Sequence, residues 1–161
     1  MKEKVKVIVL ALTIGIFLAG VSMPVLAEDK PADNMQLVKD KIKADKKLFV
    51  ADNMQLTEKE AKGFWPVYES YQKDLASHNE KLLKLIEGYA QSYDTMTDQK
   101  AQALTKDYLA LESARVRLLQ SYVPKFSKVL GNIKTARYLQ LENKINAVLR
   151  FELAANIPLV K

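Results

Sequence analysis

The stretch that decides the fold is Leu56–Tyr89, which is LTEKEAKGFWPVYESYQKDLASHNEKLLKLIEGY. Its mainly apolar and aromatic positions recur alternately every three and four residues, at Ala61, Phe64, Tyr68, Tyr71, Leu75, His78, Leu82, Leu85 and Tyr89. This spacing is typical of a helix that packs one side against a partner helix along its whole length. At the rise of an α-helix the stretch would be roughly 50 Å long. Since so long a helix cannot wrap around a small round core, we expect the rest of the chain to supply an equally long partner.

The start of this helix carries a capping signal. Thr57 and Glu60 have the spacing of a capping box, and Leu56 with Ala61 has the spacing of a hydrophobic staple. We expect a kink at Pro66, because its ring displaces the preceding turn, and we expect Gly88 to end the helix. Three pairs at helical spacing also have the favourable charge order, Glu58–Lys62, Glu69–Lys73 and Glu80–Lys84.

The flanking sequence predicts three further helices. Asp33 or Asn34 can cap a helix over residues 35–50, and Thr97 can cap one over residues 98–130, with a bend at Pro124. Gly131 and Asn132 form a stop-and-start signal before a fourth helix over residues 133–155. The predicted fold is all-α, an elongated four-helix protein built on a long antiparallel hairpin formed by residues 57–89 and 98–130.

The predicted helix over residues 98–130 has two apolar stripes. Its heptad seam is Ala101, Leu104, Tyr108, Leu111, Leu118 and Tyr122, and a second stripe beside it is Leu109, Val116, Leu119, Val123, Phe126 and Leu130. A helix that is apolar over two adjacent faces must be covered from two sides. The long helix over residues 57–89 can cover one face, and the other needs the first helix, the fourth helix or a second subunit.

The first 27 residues have the pattern of a secretory signal peptide. Three lysines precede an apolar run over residues 7–21, and Val25-Leu26-Ala27 has small residues where a signal peptidase cuts. An uncleaved membrane anchor is the alternative, although the run is short for a span. We therefore expect cleavage after Ala27, a flexible lead-in over residues 28–34 and one helical domain over residues 35–161.

Composition excludes several classes of protein. The 161-residue chain has no cysteine, so it has no disulfide, thiolate metal site or lipid-bearing cysteine. Without the first 27 residues it would have 134 residues and a net charge of +4, with 22 basic and 18 acidic residues. This bias is too small to indicate a nucleic-acid partner. No second apolar run reaches the length of a membrane span.

The predicted first helix is amphipathic and basic. Lysines crowd its polar side, and we take Lys39, Lys43, Lys46 and Lys47 as candidate partner-binding residues. Such a surface can attract acidic partners or anionic lipid headgroups, and the alternative is an ordinary solvated face. The hexapeptide of residues 32–37, ADNMQL, recurs at residues 51–56, and we expect both copies to precede or open a helix.

The sequence offers little for catalysis. His78 is the only histidine and lies on the apolar seam, which favours a structural role over a catalytic or metal-binding one. Arg115 occupies a seam position of the predicted third helix, where it can pair with Glu112, stack on Tyr71 or extend toward solvent. No nucleophile–base pair, phosphate loop or paired-carboxylate site is evident. We expect no enzyme activity, no metal and no cofactor.

The chain resembles the LTxxQ-motif family of periplasmic proteins, which includes chaperones and stress sensors of the Spy and CpxP type. The resemblance rests on the signal peptide, the size and helical patterning of the remaining chain, and Leu56-Thr57-Glu58-Lys59-Glu60 at the start of a long helix. Here Glu60 replaces the glutamine of the motif. The second copy expected before the last helix is degenerate, because Gly131 stands in the place of the threonine.

The resemblance implies a bent helical hairpin that dimerises and binds partners without ATP. Its members hold partly unfolded clients or a sensor-kinase domain on a basic surface with apolar patches. The expected function is therefore a periplasmic chaperone-like or stress-linked binding protein, with a homodimer as its assembly. The alternative is a helical accessory subunit dedicated to one envelope or membrane-protein partner.

Overall fold

A computed structural model of the chain describes residues 45–160. These residues form three α-helices, α1 (Lys46–Met54), α2 (Glu58–Ser92) and α3 (Asp98–Asn156), with a short 3-10 turn at Tyr93–Thr95. No strand occurs between residues 45 and 160, so the all-α prediction is confirmed. The predictions of a signal peptide, a lead-in and a helix start at residue 35 lie outside the described residues, as do Lys39 and Lys43.

The start of α2 follows the sequence closely. The Thr57 hydroxyl accepts from the Glu60 N–H at 3.3 Å, and the Glu60 carboxylate accepts from the Thr57 N–H at 2.8 Å, so the predicted capping box is confirmed. The helix continues through Pro66 and ends at Ser92.

The predicted end of α2 at Gly88 is wrong. A glycine ends a helix when it adopts a left-handed conformation, and Gly88 has a negative φ. The next turn is held by burial, because Tyr89 and Ala90 each retain only 7 % of their exposure. The terminator signal was therefore overridden by packing.

The long helix α3 contains one break. Gly131, at φ 71° and ψ 170°, is the only residue within α3 with non-helical backbone angles. It divides α3 into α3a (residues 98–130) and α3b (residues 132–156). The stop predicted at Gly131 is thus correct in the backbone angles, although the described residues hold three helices and not the predicted four. The bend at Pro124 stays a prediction.

The three long segments pack side by side. Lys134 of α3b contacts Glu60 near the start of α2, and Leu153 of α3b packs near Ile86 of α2. Arg150 of α3b contacts Glu112 of α3a. Therefore α3b runs parallel to α2, and α3a runs antiparallel to both. All nine positions of the predicted seam in α2 are at least half-buried.

The core is concentrated at the Gly131 end of the bundle. Six buried aromatic rings meet there, from Phe64, Tyr68, Tyr71, Tyr122, Phe126 and Tyr138. Neighbouring rings lie 4.6–6.4 Å apart between centroids, mostly edge to face, which is the arrangement that aromatic quadrupoles favour. A smaller cluster around Ile86 and Ala90 lies at the opposite end.

The short helix α1 closes the aromatic end. The Asp45 carboxylate caps it by accepting from the Leu48 N–H at 3.0 Å, and Gln55 ends it in a left-handed conformation at φ 46°. The second ADNMQL copy therefore closes a helix, and our expectation that it precedes or opens one is wrong. The physical reason is burial, because Asn53 and Met54 continue the face that α1 packs on the core.

Candidate functional site

The two described lysines of the predicted partner surface point toward their own chain. The Lys46 ammonium donates to the Gln72 side chain at 2.9 Å and contacts Glu142 at 3.4 Å. The Lys47 ammonium lies 2.7 Å from the Glu69 carboxylate and 5.2 Å from the Trp65 ring. Both lysines therefore fasten α1 to the bundle. Their binding to an external partner stays a prediction.

Glu142 is the centre of a buried polar network behind Lys46. Its carboxylate retains 7 % exposure and accepts from the Tyr138 hydroxyl at 2.9 Å and from the Gln72 amide at 3.0 Å. Burial, followed by the Glu142 charge, raises the pKa of the Tyr138 hydroxyl, which stays protonated and keeps donating. Every carboxylate oxygen has a partner, as a buried charge requires. The network joins α1, α2 and α3b.

A second polar layer separates the two apolar clusters. Glu112 pairs with Arg150 of α3b. With the Asn146 amide oriented so that its oxygen faces the guanidinium groups, this oxygen accepts from Arg115 at 3.2 Å and from Arg150 at 3.0 Å. The pairing of Arg115 with Glu112 and its stacking on Tyr71 were both wrong, because α3b supplies a competing arginine and an amide acceptor.

His78 faces this polar layer from α2. Its side chain is buried. Burial, and then the charge of Arg115, lower the pKa of the imidazole. A neutral imidazole among arginines fits a structural role better than a proton-transfer role, since no substrate-accessible group lies beside it in the contacts that the structure gives.

The exposed face of α3a combines apolar and basic side chains. Leu109 and Val116 keep 57 % and 53 % of their exposure. Lys106 and Arg117 are exposed on the same side of the helix, because positions 106, 109, 113, 116 and 117 fall within three successive turns at helical spacing. We call Lys106, Leu109, Val116 and Arg117 the outer face of α3.

The outer face exists because α3b covers only part of the second stripe of α3a. Phe126 and Leu130, near Gly131, are buried in the main core. Farther from Gly131 the stripe continues into Val116 and Leu109, which no described element covers. Neither Lys106 nor Arg117 forms an ion pair with another residue of the described chain. The face is thus available to a partner that is apolar and acidic.

Two of the four residues of the outer face were within reach of the sequence. The second stripe contains Leu109 and Val116, but the sequence did not say which part of the stripe stays uncovered. Lys106 and Arg117 escaped notice because single charges on a solvated helix carry no signal until the neighbouring apolar residues are known to be exposed.

The described residues offer no evident place for a metal. Over residues 45–160, no three side chains of the His, Cys, Asp or Glu type converge closely enough to ligate an ion. None of the helices in this range combines the length and apolar character that crossing a bilayer requires.

Comparison with known proteins yields no match. No family model, no curated protein and no solved structure matches the chain.

Proposed function

We propose that the chain is an exported, ATP-independent, chaperone-like or stress-linked binding protein of the periplasm. It holds unfolded or envelope proteins, or a sensor domain, on the outer face of α3. The observation that carries this proposal is the pair of exposed apolar side chains, Leu109 and Val116, flanked by the unpaired cations of Lys106 and Arg117.

The binding mechanism follows from this composition. Two apolar side chains bury a small area, so each contact is weak and releases without an energy source. The two cations attract acidic segments over a longer range and raise the rate of encounter. A chain with exposed apolar residues is therefore captured quickly and released readily, as a holding chaperone requires.

Export and assembly belong to the same proposal. The signal peptide pattern places the protein in the periplasm after cleavage at Ala27, where ATP is not at hand. The full architecture is an elongated four-helix hairpin fold, and the functional unit is a homodimer. In this arrangement Lys39 and Lys43 add positive charge to the partner-binding surface.

The proposal is tested by aggregation assays with several unrelated unfolded proteins. The mature chain should suppress their light scattering at near-stoichiometric amounts. The double variant Leu109→Ser/Val116→Ser should lose most of this effect, and Lys106→Glu/Arg117→Glu should weaken it chiefly for acidic clients. Leu159→Ser is the matched control, because Leu159 is an exposed leucine outside the outer face.

The same assays distinguish the alternative function. Failure to suppress aggregation, together with capture of one stable partner in a crosslinking pull-down, would replace the chaperone with a dedicated accessory subunit. Equal activity of the double serine variant and the wild-type chain would remove the outer face from the mechanism.

A further inference from the structure

A groove lies at the hairpin tip, on a different side of α3a from the outer face. It lies between the last turns of α2 and the first turns of α3, is open to solvent and has a volume of about 300 Å³. Leu85, Tyr89, Met96 and Leu104 contribute its partly or largely buried apolar lining. The volume is at the lower end of ligand pockets in proteins, which suits one or two large side chains better than a cofactor. We call this feature the Gly88 groove.

Gly88 is unexplained by the needs of the fold. It lies inside α2 with a negative φ, and a Cβ atom built on it would meet nothing within 4 Å. Glycine weakens a helix interior relative to alanine. Gly63 provides the contrast, because a Cβ there would lie 2.5 Å from Val129 Cγ1, so that glycine permits close contact between α2 and α3a. The space above Gly88 is not used by the described chain.

The charges beside the groove favour an acidic ligand. Lys84 and Lys100 line it together with a single carboxylate, that of Asp107. The predicted Glu80–Lys84 pair does not form, and Lys84 makes no ion pair with any residue between 45 and 160. The Lys100 ammonium donates only to Thr95, to the carbonyl at 2.9 Å and the hydroxyl at 3.1 Å. Both ammonium groups therefore retain a charge without a carboxylate partner.

We propose that the Gly88 groove is a second client-binding site, which takes a bulky apolar side chain flanked by carboxylates from an extended polypeptide. The absence of a side chain at Gly88 lets the client approach the α2 backbone, and Met96 adapts to different side-chain shapes, as methionines do at promiscuous surfaces. Lys84 and Lys100 attract the flanking carboxylates. The identity of the occupant as an unfolded client rests on the function proposed above.

Peptide binding tests the groove directly. The probe is a dye-labelled ten-residue peptide with a central Leu-Phe pair flanked by glutamates, and its counterpart has lysines in place of the glutamates. By fluorescence anisotropy, the wild-type chain should bind the acidic peptide at least tenfold more tightly than the basic one. Gly88→Leu should weaken binding of the acidic peptide at least tenfold, and Lys84→Glu several-fold.

Matched variants separate a filled groove from a damaged fold. Ala76→Leu adds the same side chain at an exposed position on another side of α2, and Lys73→Glu reverses a charge three turns before Lys84. Both should bind the acidic peptide as the wild type does. The thermal midpoint of Gly88→Leu should not fall, since leucine is the better helix former and has room there. Unchanged peptide affinity in Gly88→Leu, or equal affinity for the two peptides, would overturn the proposal.

The outcomes also separate this proposal from the proposed function. If Gly88→Leu binds peptide normally while the wild type still suppresses aggregation, the groove is not a client site and the chaperone function stands. If the wild type binds the acidic peptide in a Gly88-dependent way without suppressing aggregation, the groove stands and the chaperone function is overturned. Absence of both activities would contradict both proposals.

Discussion

Glu60 shows how much one side chain contributes at the start of α2. Its carboxylate accepts from the Lys134 ammonium, from the Thr57 N–H and from the Thr57 hydroxyl. The Lys134 contact, followed by the Thr57 N–H, lowers the pKa of the Glu60 carboxyl from 4.5 to about 2. The residue thus joins the capping box of α2 to the first turn of α3b.

Replacing Glu60 by glutamine should make stability less dependent on acid. Because the folded-state pKa of Glu60 is depressed, its contribution is fully present above about pH 4.5 and is lost as the pH falls toward 2. Glu60→Gln should therefore unfold at lower urea than the wild type at pH 7, with the difference shrinking toward pH 2. Glu58→Gln, in the same helical turn, is the control. A constant difference at all pH values would contradict the assignment.

Gly63 makes a matching prediction about packing. Gly63→Ala should lower the free energy of unfolding by about 1–3 kcal/mol, because overpacking exceeds the gain in helix propensity. The Cβ atom would meet Val129. In a double-mutant cycle measured by urea unfolding, Val129→Ala should recover part of the loss. Stabilisation by Gly63→Ala alone would show that the two helices separate easily.

At the scale of elements, the backbone of Gly131 separates α3a from α3b. Its angles, φ 71° and ψ 170°, fall in a region that essentially only glycine adopts. Gly131→Ala should lower the free energy of unfolding by about 1–3 kcal/mol, although the new Cβ would meet no atom within 4 Å. Asn132→Ala, at the next exposed position, is the control. Thermal or urea unfolding measures both, and equal stability of the two variants would refute the conformational explanation.

The attachment of α1 depends on Lys46 more than on Lys47. Lys46 reaches the buried Glu142, whereas Lys47 and Glu69 form a largely exposed pair, and such pairs contribute little. Lys46→Met should accelerate amide hydrogen exchange in residues 46–54 strongly, because α1 opens locally without global unfolding. Lys47→Met should change exchange slightly. Similar exchange in the two variants would mean that apolar burial of Phe49 and Val50 alone fastens α1.

At the scale of the whole molecule, the length of α2 predicts an elongated particle. A compact 134-residue chain has a radius of gyration of about 14 Å, whereas a 35-residue helix is roughly 52 Å long. Small-angle scattering of the mature monomer should therefore give a radius well above 14 Å. Light scattering on the same sample must establish that a single chain is being measured. A value near 14 Å would exclude the extended hairpin.

The sequence by itself determined the local features of this protein. The seam from Ala61 to Tyr89, the capping box of Thr57 and Glu60, and the break at Gly131 each depend on residues close together in the chain. Helical periodicity, capping geometry and glycine conformation act over a few residues, so they can be recognised without knowing what packs where.

Only the tertiary structure decided which helices meet and what remains uncovered. Arg115 binds Asn146 because α3b lies beside α3a, and Lys46 is drawn to Glu142, nearly a hundred residues away. Gly88 and Gly131 carry the same helix-ending signal, yet burial of the next turn carries α2 past Gly88. The exposure of Leu109 and Val116 likewise depends on how far α3b covers α3a. Such outcomes are set by contacts between distant segments, and the periodicity of one helix does not contain them.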